Sequence, residues 1–224
     1  MKKIIIGFLF TIFSLALSAQ KSTSFFLSLG SQMGFPVGET IIENSEFIGF
    51  QSRRDYSGPM APDITPVRYG FGLQGGLNIN DRWNISSGIS YLKRIDQMAF
   101  YCHVCQFPID PIPEKFILPS LEVPFNIRLN LNRRSTFFPF ITGGLSWNWL
   151  LDQGRESAWA LEYTQFEFWA YTIGGGIGLR TQKNTSFLFK IQYNQDISNR
   201  STFPNIIFKD LSFALEGIYN FLSK

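Results

Sequence analysis

A chain of 224 residues with formal charge +3, 17% aromatic and 17% charged residues is one domain's worth of sequence. With 20 basic residues against 17 acidic ones it carries no electrostatic footprint for nucleic acid, and no such partner is expected. One histidine and two cysteines supply three zinc ligands at most, so no metal site is assigned.

Residues 1–20 read as a secretory signal, leaving residues 21–224 as one domain. Lys2 and Lys3 form the basic start and Ile4 to Leu17 the apolar stretch. Ala16, Ser18 and Ala19 are the small residues before Gln20, where cleavage is expected. The stretch is shorter than the roughly 20 residues that a spanning helix needs. Losing Lys2 and Lys3 lowers the formal charge from +3 to +1.

From Ser24 onward, apolar residues recur with period 2. Ser24–Gly34 is the first segment. In Val67–Asn80, Tyr69, Phe71, Leu73, Leu77 and Ile79 oppose Arg68, Gly70, Gly72, Gln74, Gly76 and Asn78. Trp83–Leu92 sets Trp83, Ile85, Ile89 and Tyr91 against Asn84, Ser86, Gly88 and Ser90. Leu118–Leu131 is the clearest, with Leu121, Val123, Phe125, Ile127 and Leu129 opposite Glu122, Pro124, Asn126, Arg128 and Asn130. Thr136–Leu150 and Gln165–Arg180 follow; in the second, Trp169, Tyr171, Ile173 and Ile177 oppose Ala170, Thr172, Gly174 and Gly176. Ser186–Asn194 places Phe187, Phe189, Ile191 and Tyr193 against Lys190, Gln192 and Asn194. The last segment sets Leu211, Phe213, Leu215, Tyr219 and Phe221 against Ser212, Ala214, Glu216 and Asn220. Such alternation predicts strands whose faces meet different solvents. Each segment has at least the about 9–11 residues a tilted strand needs to cross a bilayer.

Three connections are tight, at Asn80–Arg82, Asn132–Ser135 and Thr181–Thr185. Four are long, at Phe35–Pro66, Ile95–Lys115, Asp152–Thr164 and Ile197–Lys209. They alternate strictly, which puts every tight turn at one rim, as in barrels whose short turns face the periplasm. The expected fold is all-β: an eight-stranded antiparallel up-and-down transmembrane β-barrel in the cell outer membrane. Phe35–Pro66 has room for a further hairpin, with Glu46 to Phe50 as one arm, which would make ten strands.

In that orientation Trp83, Phe137, Phe187, Tyr219 and Phe221 fall near the periplasmic rim. Tyr69, Tyr91, Trp147, Trp149, Trp169 and Tyr193 fall near the outer one, giving two aromatic belts. The rival arrangement is a lipocalin-like barrel with its apolar row inside. A row of Gly, Ser and Asn suits the crowded bore of eight strands, so the apolar row is assigned to lipid. Arg68, Glu122, Arg128, Lys190 and Glu216 then face the lumen. Buried charges persist only when paired, so a lumen charge network is expected, with Lys190–Glu216 its foremost pair.

Gly70-Phe71-Gly72-Leu73-Gln74-Gly75 matches a dinucleotide-binding pattern by letter, but strand alternation runs through it and no helix follows. Its glycines are read as making room in the lumen. Cys102-His103-Val104-Cys105 lies in a long outer loop and is open to a disulfide, a metal contact or a redox pair. His103, between the cysteines in a loop with Pro108, Pro111 and Pro113, is poorly placed as a catalytic base, so no catalytic residue is assigned.

The stretch Leu118-Pro119-Ser120-Leu121-Glu122-Val123-Pro124-Phe125-Asn126-Ile127-Arg128, the signal ending Ser18-Ala19-Gln20 and the glycine-rich Thr172–Gly178 resemble the PorT-like outer-membrane β-barrel family of Gram-negative bacteria. The resemblance covers essentially residues 21–224 and implies an eight-stranded barrel. Some members serve protein secretion across the outer membrane, and most have no assigned activity. The Cys102–Cys105 loop is foreign to the family pattern, and Leu222-Ser223-Lys224 follow Phe221 where a terminal aromatic would be the usual end.

The expected role is non-enzymatic and cofactor-free: a structural or accessory protein of the envelope or of secretion that presents external loops. Outer-membrane lipid or lipopolysaccharide, the barrel-assembly machinery and a protein partner in the outer membrane are the expected partners. The alternative is a narrow channel, or a small-solute or lipid binder that uses the lumen charges.

Overall fold

The computed structural model describes residues 23–37, 41–43, 48–52, 67–79, 82–102, 112–132, 135–151, 167–182, 184–197 and 205–221. Among them are eleven strands and no helix. They are β1 (Thr23–Pro36), β2 (Ile41–Glu43), β3 (Ile48–Ser52), β4 (Val67–Ile79), β5 (Trp83–Cys102) and β6 (Ile112–Asn130), then β7 (Phe137–Leu150), β8 (Glu167–Gln182), β9 (Thr185–Asp196), β10 (Asn205–Ile207) and β11 (Lys209–Phe221).

Eight long strands form a ring in the order β1–β4–β5–β6–β7–β8–β9–β11, every neighbour antiparallel, and the β11–β1 ladder closes it. Within the ring, the even-numbered residues whose burial is described line the bore and the odd-numbered ones face outward. Each ladder pairs even with even, apart from Gln182↔Thr185 at an irregularity between β8 and β9. A slip of one residue in any ladder would turn a strand's apolar row into the bore, so the pattern pins the register.

The outward row settles which solvent the wall meets. Leu29 is 65% exposed, Phe71 63%, Ile173 60% and Ile177 57%, and comparable residues follow one another around the ring. A belt of this extent is stable only against hydrocarbon. The lipocalin-like arrangement, with these side chains turned inward, is therefore excluded.

Where long connections were expected, strands continue. The Ile95–Lys115 connection is corrected to a projecting hairpin, because β5 runs on to Cys102 and β6 begins at Ile112. The seven residues beyond Ile95 carry β5 about 20 Å further along its axis. A hairpin beyond the bilayer needs no lipid-facing apolar row to form, and no apolar alternation marks this one in the sequence. β3 pairs with β5 from Ser52↔Met98 to Ile48↔Cys102, above the last β4 pair, and β10 pairs with β2 beyond the β1–β11 seam. These short strands stand on the outer rim rather than in the wall, so the ten-strand option gives way to a ring of eight.

Besides the irregularity between β8 and β9, the wall has a gap between β5 and β6. The β5–β6 ladder omits Gly88/Pro124 and Ile89/Val123, resuming on both sides. Proline has no N–H to donate, so its partner across the seam loses one ladder bond.

Candidate functional site

The bore is filled in three storeys. At the tight-turn end, Phe26, Phe138, Phe140, Leu188 and Ile218 form a buried apolar plug. Phe138 and Phe140 lie directly across from Gly178 and Gly176, and Phe26 across from Gly76. The glycines are what admit the rings: a Cβ on Gly178 would come within 2.2 Å of Phe138, and one on Gly76 within 2.7 Å of Phe26. Arg180 lies over the Phe138 ring at 5.0 Å and Arg128 over Phe140 at 5.7 Å.

An amide collar rings the same end. Asn78 Nδ2 donates to Asn220 Oδ1 at 2.7 Å and to Ser24 Oγ at 3.1 Å. Asn84 Nδ2 donates to Asn78 Oδ1, and Asn84 Oδ1 accepts from Arg128 Nε at 2.8 Å and from Asn130 Nδ2 at 3.2 Å. One chain of hydrogen bonds thus ties β11, β4, β5 and β6 together across the mouth.

The middle storey is polar. Lys190 Nζ is ion-paired with Glu216 Oε2; the two residues stand diagonally across the β9–β11 ladder. Thr172 Oγ1 donates to Asn194 Oδ1 and Asn194 Nδ2 to Ser212 Oγ, both at 2.8 Å. Between these groups lies a cavity of about 60 Å³, bordered by Glu122, Lys190, Glu216, Gln74, Asn126 and Gln192.

The outer storey is an ionic clasp. Asp210 Oδ2 is paired with Arg94 Nη2 and lies 3.4 Å from Arg68 Nη1, while Arg68 Nη2 lies 3.7 Å from Glu122 Oε1. The Arg94 guanidinium sits 4.0 Å above the ring of Phe208, whose backbone N–H donates to Asp196 Oδ2 at 3.2 Å. Buried Leu92, Leu118 and Phe168 fill the space around the clasp.

Of the charges read from sequence, Arg68 and Glu122 meet in the clasp and Lys190 meets Glu216 below it. Arg128 stands apart, in the amide collar, with no ion pair among the described residues. Trp83 and Tyr219 face outward at the tight-turn end, and Tyr69, Tyr91, Trp147, Trp149, Trp169 and Tyr193 face outward toward the other. Cys102 is the last residue of β5; its side chain and Cys105 lie outside the described residues, as does His103. Residues 1–20, read as the signal, also lie outside them.

No family model matches the chain, so the PorT-like resemblance rests on its residues alone. No curated protein matches it either. Solved structures do. The outer membrane protein OprG from Pseudomonas aeruginosa has a TM-score of 0.50 at 12% identity, over 91% of this chain and 98% of that one. Neisserial surface protein A has a TM-score of 0.48 at 12% identity, covering 88% and 98%. Outer Membrane Protein W of E. coli has 0.39 at 14%, covering 90% and 100%. At such identity the OprG likeness shows the fold alone: the chain is an eight-stranded antiparallel barrel of the outer-membrane type. Together with the apolar belt, that fold places it in an outer membrane.

Sequence reasoning missed Arg94, Asp210 and the plug. Carrying the Trp83–Leu92 alternation two residues further puts Arg94 in the bore, and carrying the last segment one residue back does the same for Asp210. The plug left a fainter trace. Phe26, Phe138, Phe140, Leu188 and Ile218 are apolar residues on the polar row, always near the tight-turn end.

Proposed function

We propose that the protein is a membrane-anchored frame with a structural or accessory role in the envelope. It holds outer loops and the β5–β6 hairpin toward a protein partner, and it does not conduct. One observation carries this reading: side chains fill the bore toward both ends, the phenylalanine plug at one and the Arg68–Asp210–Arg94 clasp at the other, with a cavity of about 60 Å³ between them. That space holds only a few water molecules. Among the described residues, Glu122, Asp210 and Glu216 each face a cationic partner, which leaves none of them poised as a general base and favours a non-enzymatic role. The PorT-like resemblance agrees with an accessory part in envelope or secretion complexes.

The channel alternative makes the opposite forecast, so planar-bilayer conductance of purified protein separates the two. The frame reading expects a silent membrane. Ion-selective steps that vanish in Glu122→Gln would overturn it and support conduction through the lumen charges.

A further inference from the structure

The lipid-facing row carries few hydrogen-bonding groups, and several of these gather at the outer edge of β8, β9 and β11. Tyr171, Gln195 and Lys209 stand directly across from one another on these adjacent strands, Tyr171↔Gln195 and Gln195↔Lys209. Tyr193 lies two residues before Gln195 on the same outward face. The two tyrosine rings pack 6.2 Å apart, and both hydroxyls donate to Gln195 Oε1, at 2.9 Å from Tyr171 and 2.8 Å from Tyr193.

This arrangement has a chemical polarity. With its carbonyl oxygen accepting twice, the Gln195 amide is held with Nε2 directed away from the hydroxyls, and both N–H groups remain to donate. Lys209 adds an ammonium beside it. Among the described residues neither Nε2 nor the Lys209 Nζ has a partner. Gln195 and Lys209, paired across adjacent strands on the outward face, thus bring three or more donors, one of them charged, to the place where the apolar wall ends, at the level of the outer tyrosines and Trp169. Donors at a membrane boundary are stabilised by an anionic acceptor, and aromatic rings and snorkelling lysines sit at the headgroup layer that supplies one. Lys93 offers a contrast on the same rim. It faces outward across from Tyr69 and Pro119, with no oriented amide beside it.

We propose that Gln195 and Lys209, positioned by Tyr171 and Tyr193, form a binding site for the phosphate of a lipopolysaccharide molecule in the surrounding outer leaflet. The site rests on the outer-membrane reading and gives the barrel a fixed annular lipid on the β8–β9–β11 side.

The test uses the full chain after removal of residues 1–20, folded in neutral detergent micelles. Its thermal unfolding midpoint is followed with added diphosphorylated lipid A or with the same lipid after dephosphorylation. The midpoint is expected to rise with the phosphorylated lipid and not with the dephosphorylated one. Lys209→Gln and Gln195→Leu should each lose more than half of that rise, Lys209→Arg should restore it, and Lys93→Gln should leave it intact. An equal rise with both lipids, an undiminished rise in Lys209→Gln, or a rise lost in Lys93→Gln but kept in Lys209→Gln would each overturn the site. A wild-type chain that folds without detergent or lipid would instead remove the membrane reading on which the site depends.

Discussion

Replacing Glu216 by Gln tests how the bore is held together. Glu216 and Lys190 have side chains only 7% and 12% exposed, and the amide leaves the ammonium of Lys190 without its carboxylate. Removing one partner of a buried pair costs about 3–5 kcal/mol, because the surviving charge is left desolvated. The polar cavity beside the pair offers partial solvation, so the lower end applies: about 3 kcal/mol, or roughly a hundredfold in the folding equilibrium. Replacing both residues, Lys190→Met with Glu216→Leu, removes the stranded charge as well as the pair. It should return stability to within about 1 kcal/mol of the wild type. Urea unfolding in lipid vesicles, followed through the five tryptophans, compares the wild type with both variants. Two results would refute the reasoning: a loss below about 1 kcal/mol in Glu216→Gln, the range of exposed pairs, or a double variant no better than the single one.

Two further outcomes follow from the same geometry. Leu29→Arg puts a charge on the lipid face near mid-strand and should destabilise the vesicle-inserted barrel by about 2–4 kcal/mol, against about 0.5 or less at an ordinary exposed site; urea titration decides. Gly178→Ala sets a methyl against the Phe138 ring and should cost about 1–3 kcal/mol by overpacking, with Gly178→Ala/Phe138→Leu recovering part of it in the same titration.

Much of the wall was legible because its information is local. Period-2 alternation needs only neighbouring residues, and Leu118–Leu131 displays it whether or not β5 and β7 stand beside it. The short connections after β4, β6 and β8 likewise declare themselves by Asn, Asp and Ser chemistry, although β8 runs on to Gln182 and β9 starts at Thr185, inside the span expected as the third turn. The projecting end of β5 and β6 did not, because a hairpin beyond the bilayer needs no lipid-facing apolar row and its residues carry no such period. The interior partly did. Lys190 and Glu216 were recognisable as charges on a bore-facing row, but Arg94 and Asp210 sat just past the ends of the alternating segments.

What the amino-acid order determined by itself is the two-faced strand, its length and the rhythm of its turns, since each is a property of a few consecutive residues. Only ring closure decided what fills the centre. Phe138 meets Gly178, Phe26 meets Gly76, and Asp210 meets Arg94 across a separation of 116 residues, because eight tilted strands bring these even-numbered positions to common heights. A pattern of period 2 states which way a side chain points; the stagger of the closed sheet states what it finds there.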